Sequence, residues 1–94
     1  DDMIDTAGTI CKAAEALVAN GAAKVIAAAT HPIFSGPAPK RLNEAPFDEI
    51  IATNTLPLRE DVVIPNLTIL SIAPLLASAI RAVFEDGSVT SLFN

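Results

Sequence analysis

Two segments of this chain repeat apolar residues at helical spacing, and short continuously apolar runs lie beside them. Ile10, Ala13, Ala14, Leu17 and Val18 follow the i, i+3, i+4, i+7, i+8 pattern of a one-sided helix, with Lys12, Glu15 and Asn20 largely on the other side. Asn20-Gly21 supplies the stop, because glycine takes the left-handed conformation without a side-chain clash. Lys24 to Thr30 is then expected to be a strand covered on both faces. Its alanines are weak strand formers, so its place after a helix and a turn carries that assignment. His31 to Pro39 holds three prolines and one glycine in nine residues and is expected to be loop.

A short helix is expected from Pro39 to Ala45, with Lys40 and Arg41 outward, then a strand over Glu49–Thr53. Residues 54 to 66 read as a connector and Leu67–Ile72 as a third strand. Ile72, Leu75, Leu76, Ala79, Ile80, Val83 and Phe84 repeat the helical template, with Ser71 as cap and Pro74 tolerated in the first turn. Asp86-Gly87 should end that helix, and Ser88–Phe93 should form a last short extended segment. Strands alternating with helices indicate an α/β fold with a parallel sheet.

Length and composition narrow the function classes. A domain averages about 150 residues, so 94 residues make one domain or part of one. With 51% hydrophobic and 18% charged residues, the chain is too apolar to be disordered. A net charge of −5, no Trp, no Tyr and four Phe argue against nucleic-acid binding, which needs basic residues and stacking surfaces. No run approaches the roughly 18 apolar residues that cross a bilayer, so no membrane role is expected. The acidic start is the opposite of a signal peptide's. A lone Cys11 excludes an internal disulfide framework and a cysteine zinc cluster, and suits a reducing compartment.

The segment from Asp1 to Thr9 carries the chemistry. Asp1, Asp2 and Asp5 repel one another unless donors or a cation intervene. Thr6, Ala7, Gly8 and Thr9 offer two hydroxyls and a run of backbone N–H groups at a helix N-terminus, where unpaired donors and the dipole favour phosphate. Gly8 lets the backbone approach an anion closely. Acids beside such a cradle suit a ligand with vicinal hydroxyls at one end and phosphate at the other, and a divalent cation would reconcile the two. A solvated acidic turn before an ordinary N-cap fits the same spacing, because Asp and Thr are common there.

The exact string separates these readings. Asp1 to Thr9 resembles the phosphoribosyl-pyrophosphate loop of type I phosphoribosyltransferase folds, which follows a hydrophobic strand. Beyond it, Ala29–Ala38, Ala52–Leu58, Leu70–Ala77 through Ile80-Arg81, and Ser88–Phe93 resemble the ribose-phosphate pyrophosphokinase (phosphoribosyl pyrophosphate synthetase) family, in order and over essentially the whole chain. The resemblance implies a type I phosphoribosyltransferase-like, Rossmann-like parallel sheet. Residues 1–94 would be the distal part of the family's C-terminal domain, beginning at the ribose-phosphate loop, with an apolar strand upstream of Asp1.

It further implies transfer of a pyrophosphoryl group from magnesium-ATP to the anomeric hydroxyl of ribose 5-phosphate, in the cytoplasm, by a homo-oligomer of hexameric type. Asp1 and Asp2 would face the ribose hydroxyls directly or through Mg2+. Asp5, Thr6, Ala7, Gly8 and Thr9 would hold the 5-phosphate. Members carry Gly, Ala or Cys at the position of Ala7. The ATP pocket, the metal-binding histidine and the flexible catalytic loop of the family lie upstream of Asp1, so the 94 residues alone should lack synthetase activity and contain no catalytic residue. A high apolar fraction and an open sheet edge independently favour association.

Other candidates carry less. His31 follows a strand end, where α/β sheets bind ligands, but a lone histidine beside Pro32 is taken as structural. Cys11 has no basic activator nearby in sequence and is taken as a plain helical thiol. Ser35-Gly36-Pro37 is taken as a turn ahead of a ligand or subunit contact. Ser88, Thr90 and Phe93 match tail residues that in some members help form an allosteric phosphate and nucleoside-diphosphate site. Thr90 stands where serine is usual, and a closing strand with Phe93 packed beneath it is the preferred reading. Two rival functions share parts of the pattern. A phosphoribosyltransferase would keep only the first nine residues, and a non-catalytic regulatory subunit would lose acids from the loop.

Overall fold

The computed structural model describes residues 1–85. Eight elements follow in chain order: β1 (Met3–Ile4), α1 (Gly8–Ala19), β2 (Ile26–Ala29), β3 (His31–Pro32), α2 (Ala38–Glu44), β4 (Glu49–Thr53), β5 (Leu67–Leu70) and α3 (Ala73–Phe84). Every strand pairing among them is parallel. Strands β2, β4 and β5 form a sheet with β4 central, in the register Ala29↔Ala52 and Ile50↔Leu67. Strands β1 and β3 form a second ladder. The two ladders share one stretch of chain, because β3 follows β2 after Thr30. The segment from Asp1 to Asp5 therefore runs alongside Thr30 to Ser35, with His31 N–H donating to Asp2 O at 2.8 Å and Ser35 N–H to Asp5 O at 3.0 Å.

The α/β order read from the periodicity is present, with three differences. Met3–Ile4 and His31–Pro32, both read as loop, are paired short strands. Proline suits β3 because that position needs no donor to the ladder. The strand expected over residues 24–30 covers only Ile26–Ala29, and it buries one face: Ala27 and Ala29 are buried while Ile26 and Ala28 are exposed. Helices α1 and α2 pack side by side on that buried face, whereas α3 contributes no buried residue, so no helix covers the other face among the described residues. The third difference lies in α1, where Cys11 and Ala14 are the buried positions and Leu17 and Val18 stay exposed. Ala7, Cys11 and Ala14 form the seam that meets the core.

One cluster makes up the core. Ile4 from β1, Ala27 and Ala29 from β2, Ile50 from β4, and Ala38 and Leu42 from α2 meet around Phe34, which is fully buried. Small alanines on the strand and on both helices allow close approach, so little large side-chain volume is needed. The ends of the elements are pinned by side chains acting on backbone. Asp48 accepts from Val25 N–H at 2.7 Å, Asn66 donates to Phe47 O at 2.8 Å, and Asn43 donates to Val63 O at 2.7 Å. The Cα radius of gyration is 16.0 Å, against about 12 Å for a compact domain of this length. The excess fits α3, which leaves Ile80, Val83 and Phe84 open to solvent.

At the start of α3, the Ser71 hydroxyl accepts from Ala73 N–H at 3.1 Å, while Ile72 occupies the capping position. Glu85 closes the helix. Asp86-Gly87 and the extended segment expected over Ser88–Phe93 lie outside the described residues, as do Ser88, Thr90 and Phe93 as a site.

Candidate functional site

A concavity of about 300 Å³ sits where β1 turns into α1, lined by Asp1, Met3 and the continuous stretch from Ile4 to Ile10. Strand pairing to β3 holds one rim and the first turn of α1 forms the other. Of the residues singled out from sequence, Asp1, Asp5, Thr6, Ala7, Gly8 and Thr9 line it. Asp2, which immediately precedes β1, is not among the lining residues and is exposed.

The turn into the helix is made by Ala7, which adopts the left-handed conformation at φ 67°. No side chain caps the helix. Cys11 N–H already donates to Ala7 O at 3.1 Å. Among the described residues no hydrogen bond engages the N–H groups of Ala7, Gly8, Thr9 or Ile10. An uncapped helix start of this kind keeps its orphan donors available, with the positive end of the dipole behind them. No acid lies in the first turn to compete for that position.

The carboxylates are not equivalent. Asp1 Oδ1 accepts from Asp2 N–H at 2.8 Å, and Asp2 Oδ1 accepts from Met3 N–H at 2.9 Å; among the described residues the second oxygen of each has no hydrogen-bond partner. Asp5 instead accepts from the Ser35 hydroxyl, while its backbone carbonyl accepts from Ser35 N–H. The Asp5 carboxylate is thus a tie to the neighbouring loop, which the spacing of acids alone did not indicate. Among the described residues no group of three or more His, Cys, Asp and Glu converges as a metal cage.

Two basic residues hold backbone carbonyls through contacts that the sequence did not signal, Arg41 at this loop and Arg59 at the one after β3. Arg41, expected to point outward, reaches back from α2 and donates from Nη1 to Thr6 O at 3.1 Å. Arg59 donates from Nη2 to the carbonyl of Phe34 at 2.9 Å, fixing a residue that itself sits at φ 50°. Both contacts join positions 25 or more apart in sequence, so no local pattern could signal them. The glycine at position 8 also has a contact that the sequence did not signal. A Cβ there would lie 3.1 Å from Arg41 Nη1, so the absent side chain makes room for the guanidinium.

His31 and Cys11 keep structural roles. His31 Nδ1 and the Thr55 hydroxyl are 2.8 Å apart, and Thr55 also donates to Thr30 O, so the ring helps join the ends of β3 and β4. Burial pushes the Cys11 thiol up from its ordinary pKa; Glu15 adds to the rise and Arg41 opposes it. Such a thiol is a poor nucleophile at neutral pH. No helix among the described residues is long and apolar enough to cross a membrane.

Comparison with known proteins gives the family. The chain aligns along its whole length with the ribose-phosphate pyrophosphokinases of Streptomyces coelicolor, at 57% identity, and Mycobacterium tuberculosis, at 61%; it spans 29% of the length of each. The crystal structure of phosphoribosylpyrophosphate synthetase from Mycobacterium smegmatis superposes with a TM-score of 0.87 at 61% identity, over 93% of this chain and 29% of that one. The family model described as the phosphoribosyl synthetase-associated domain matches residues 1–94, and the chain belongs to that family.

Proposed function

We propose that this chain is the ribose-phosphate-binding part of a ribose-phosphate pyrophosphokinase. The parent enzyme would transfer the pyrophosphoryl group of ATP to the anomeric hydroxyl of ribose 5-phosphate. The observation that carries this reading is the run of unengaged N–H groups from Ala7 to Ile10, in residues that line a concavity of about 300 Å³. It is supported by relatives that bear that enzyme name over the same residues.

On this reading each residue has a task. The N–H groups of Ala7, Gly8 and Thr9, with the Thr6 and Thr9 hydroxyls, hold the 5-phosphate as a helix N-terminus holds an anion. Asp1 and Asp2 orient the ribose hydroxyls by accepting from them. Asp5 keeps the loop in place through Ser35. Together they fix the acceptor hydroxyl relative to the phosphoryl donor, which is where most of the catalytic gain in phosphoryl transfer lies.

The donor set also suits magnesium. Mg2+ prefers oxygen ligands and typically takes one or two carboxylates beside substrate oxygens and water. Asp1 and Asp2 are exposed and each has one carboxylate oxygen without a hydrogen-bond partner among the described residues, so these two would hold the ion. Bound there, it would neutralise charge on the phosphates.

The same reading extends to the fold and the assembly. The sheet would be the distal part of a C-terminal domain of type I phosphoribosyltransferase type, within a cytoplasmic homo-oligomer of hexameric form. The 94 residues alone would not turn over ATP and ribose 5-phosphate.

Calorimetric titration of the complete protein tests the site. Ribose 5-phosphate should bind, ribose should bind at least tenfold more weakly, and Thr9→Val should weaken the phosphate-bearing ligand selectively. Equal affinity for ribose and ribose 5-phosphate would remove the anion cradle from the account.

A further inference from the structure

Arg41 is a charged residue that the assignments above leave without a task. It stands on α2, exposed, and among the described residues it makes no ion pair. Its Nη1 donates to Thr6 O at 3.1 Å. It is not among the residues that line the concavity; it lines a second hollow with Gly8, Cys11, Lys12, Glu15 and Glu44, and Gly8 lines both. The guanidinium therefore meets the loop from the side of α2.

Peptide planarity gives that contact a consequence. In a trans peptide the carbonyl of one residue and the N–H of the next point in opposite directions. Holding the Thr6 carbonyl toward Arg41 turns the Ala7 N–H the other way. The same hold keeps an electronegative oxygen on the far side from an anion. It also steadies the peptide that leads into Ala7 at φ 67°, a backbone state that an L-residue adopts only when its surroundings impose it. Gly8 complements the arrangement, because a Cβ there would meet Arg41 Nη1 at 3.1 Å and require the guanidinium to give way.

We propose that Arg41 is a positioning residue for the sugar-phosphate cradle: it sets the peptide plane between Thr6 and Ala7, and Gly8 is small so that it can. This rests on the ribose 5-phosphate reading for its ligand. Arg41 touches no reacting atom.

Steady-state kinetics and hydrogen exchange of the complete enzyme test it together. Arg41→Ala should raise KM for ribose 5-phosphate by about tenfold or more, the scale of one charge-assisted hydrogen bond. The kcat at saturating ribose 5-phosphate and the KM for ATP should stay within twofold of wild type. Arg41→Lys, which keeps a charged donor, should recover most of the loss. Gly8→Ala should raise the same KM in the wild-type background and add nothing in the Arg41→Ala background. In the ligand-free protein, Arg41→Ala should speed exchange of the Cys11 amide, which donates to Ala7 O.

An unchanged KM for ribose 5-phosphate, or equal losses in kcat and in KM for ATP, would overturn the proposal. So would additive effects of the two substitutions. If wild-type protein fails to bind ribose 5-phosphate while Cys11 exchange still responds to Arg41→Ala, the ligand reading falls and the positioning role stands.

Discussion

Ala7 lies in the left-handed region at φ 67° and is 4% exposed, and substitutions there weigh backbone strain against packing. Placing a residue with a Cβ in that conformation costs about 1–2 kcal/mol. Ala7→Gly removes this strain. It also loosens the unfolded chain, worth about 0.4–1 kcal/mol, and loses a buried methyl, worth about 0.8 kcal/mol. The terms nearly cancel, so Ala7→Gly should be close to neutral. Ala7→Val behaves differently. A β-branched residue is a severe outlier at positive φ, and forcing two more methyls into a filled site costs about 1–3 kcal/mol. A total of roughly 2–4 kcal/mol follows from these two penalties.

Local opening of α1 is the quantity to measure, read as amide exchange of Cys11 and Ala14 in the complete protein. At about 1.4 kcal/mol per factor of ten, Ala7→Val should speed exchange by roughly thirtyfold to several-hundredfold. Ala7→Gly should stay within about fivefold of wild type on the same scale. Exchange in Ala7→Val within threefold of wild type would mean that Ala7 does not hold the left-handed state in solution. A slowing of more than tenfold in Ala7→Gly would mean that strain outweighs the buried methyl and that the packing account is wrong.

Two further outcomes follow from the core. Phe34 is fully buried at φ 50°, with its N–H on Ile4 O and its carbonyl on Arg59. Phe34→Ala should cost about 3–5 kcal/mol, seen as a lower urea midpoint by circular dichroism; a loss below about 1 kcal/mol would contradict its place at the centre of the core. Cys11 has a raised pKa through burial, then Glu15, so its alkylation by iodoacetamide should inflect above the ordinary thiol range near pH 8.5. Because the folded pKa is above the unfolded one, the stability tied to the neutral thiol is complete below about pH 8.5 and is lost as pH rises through the folded value. Cys11→Ala should remove that alkaline decline, and an unchanged slope would assign it to another group.

Legibility varied with the range of the interactions. The boundaries of β4 coincide with the expected Glu49–Thr53, and α1, α2 and α3 begin within about two residues of their expected starts. Those elements are set by side-chain period and by Gly and Pro, which act locally. That most of Asp1–Thr9 lines one concavity at a helix start was legible because those residues are contiguous. The short β1–β3 ladder was not, since two-residue strands carry no period, and their pairing is a contact between positions 28 apart. The roles of Asp5, Ser35 and Arg41 were hidden for the same reason.

By itself the amino-acid sequence determined the alternation of helix and strand, the parallel α/β class, and the contiguous run of acids, hydroxyls and backbone N–H groups at the start of α1. Each follows from periodicity or from neighbours in sequence, where the chain's geometry leaves little choice. Only the tertiary structure decided which sheet face is buried, which carboxylate is tied to the neighbouring loop, and how closely position 8 meets Arg41. Those depend on α2 packing beside α1 and on the loop after β3 lying along β1. Arg41 shows the difference in one residue: its place on a short helix suggests a solvated charge, and the fold turns it toward the carbonyl of Thr6.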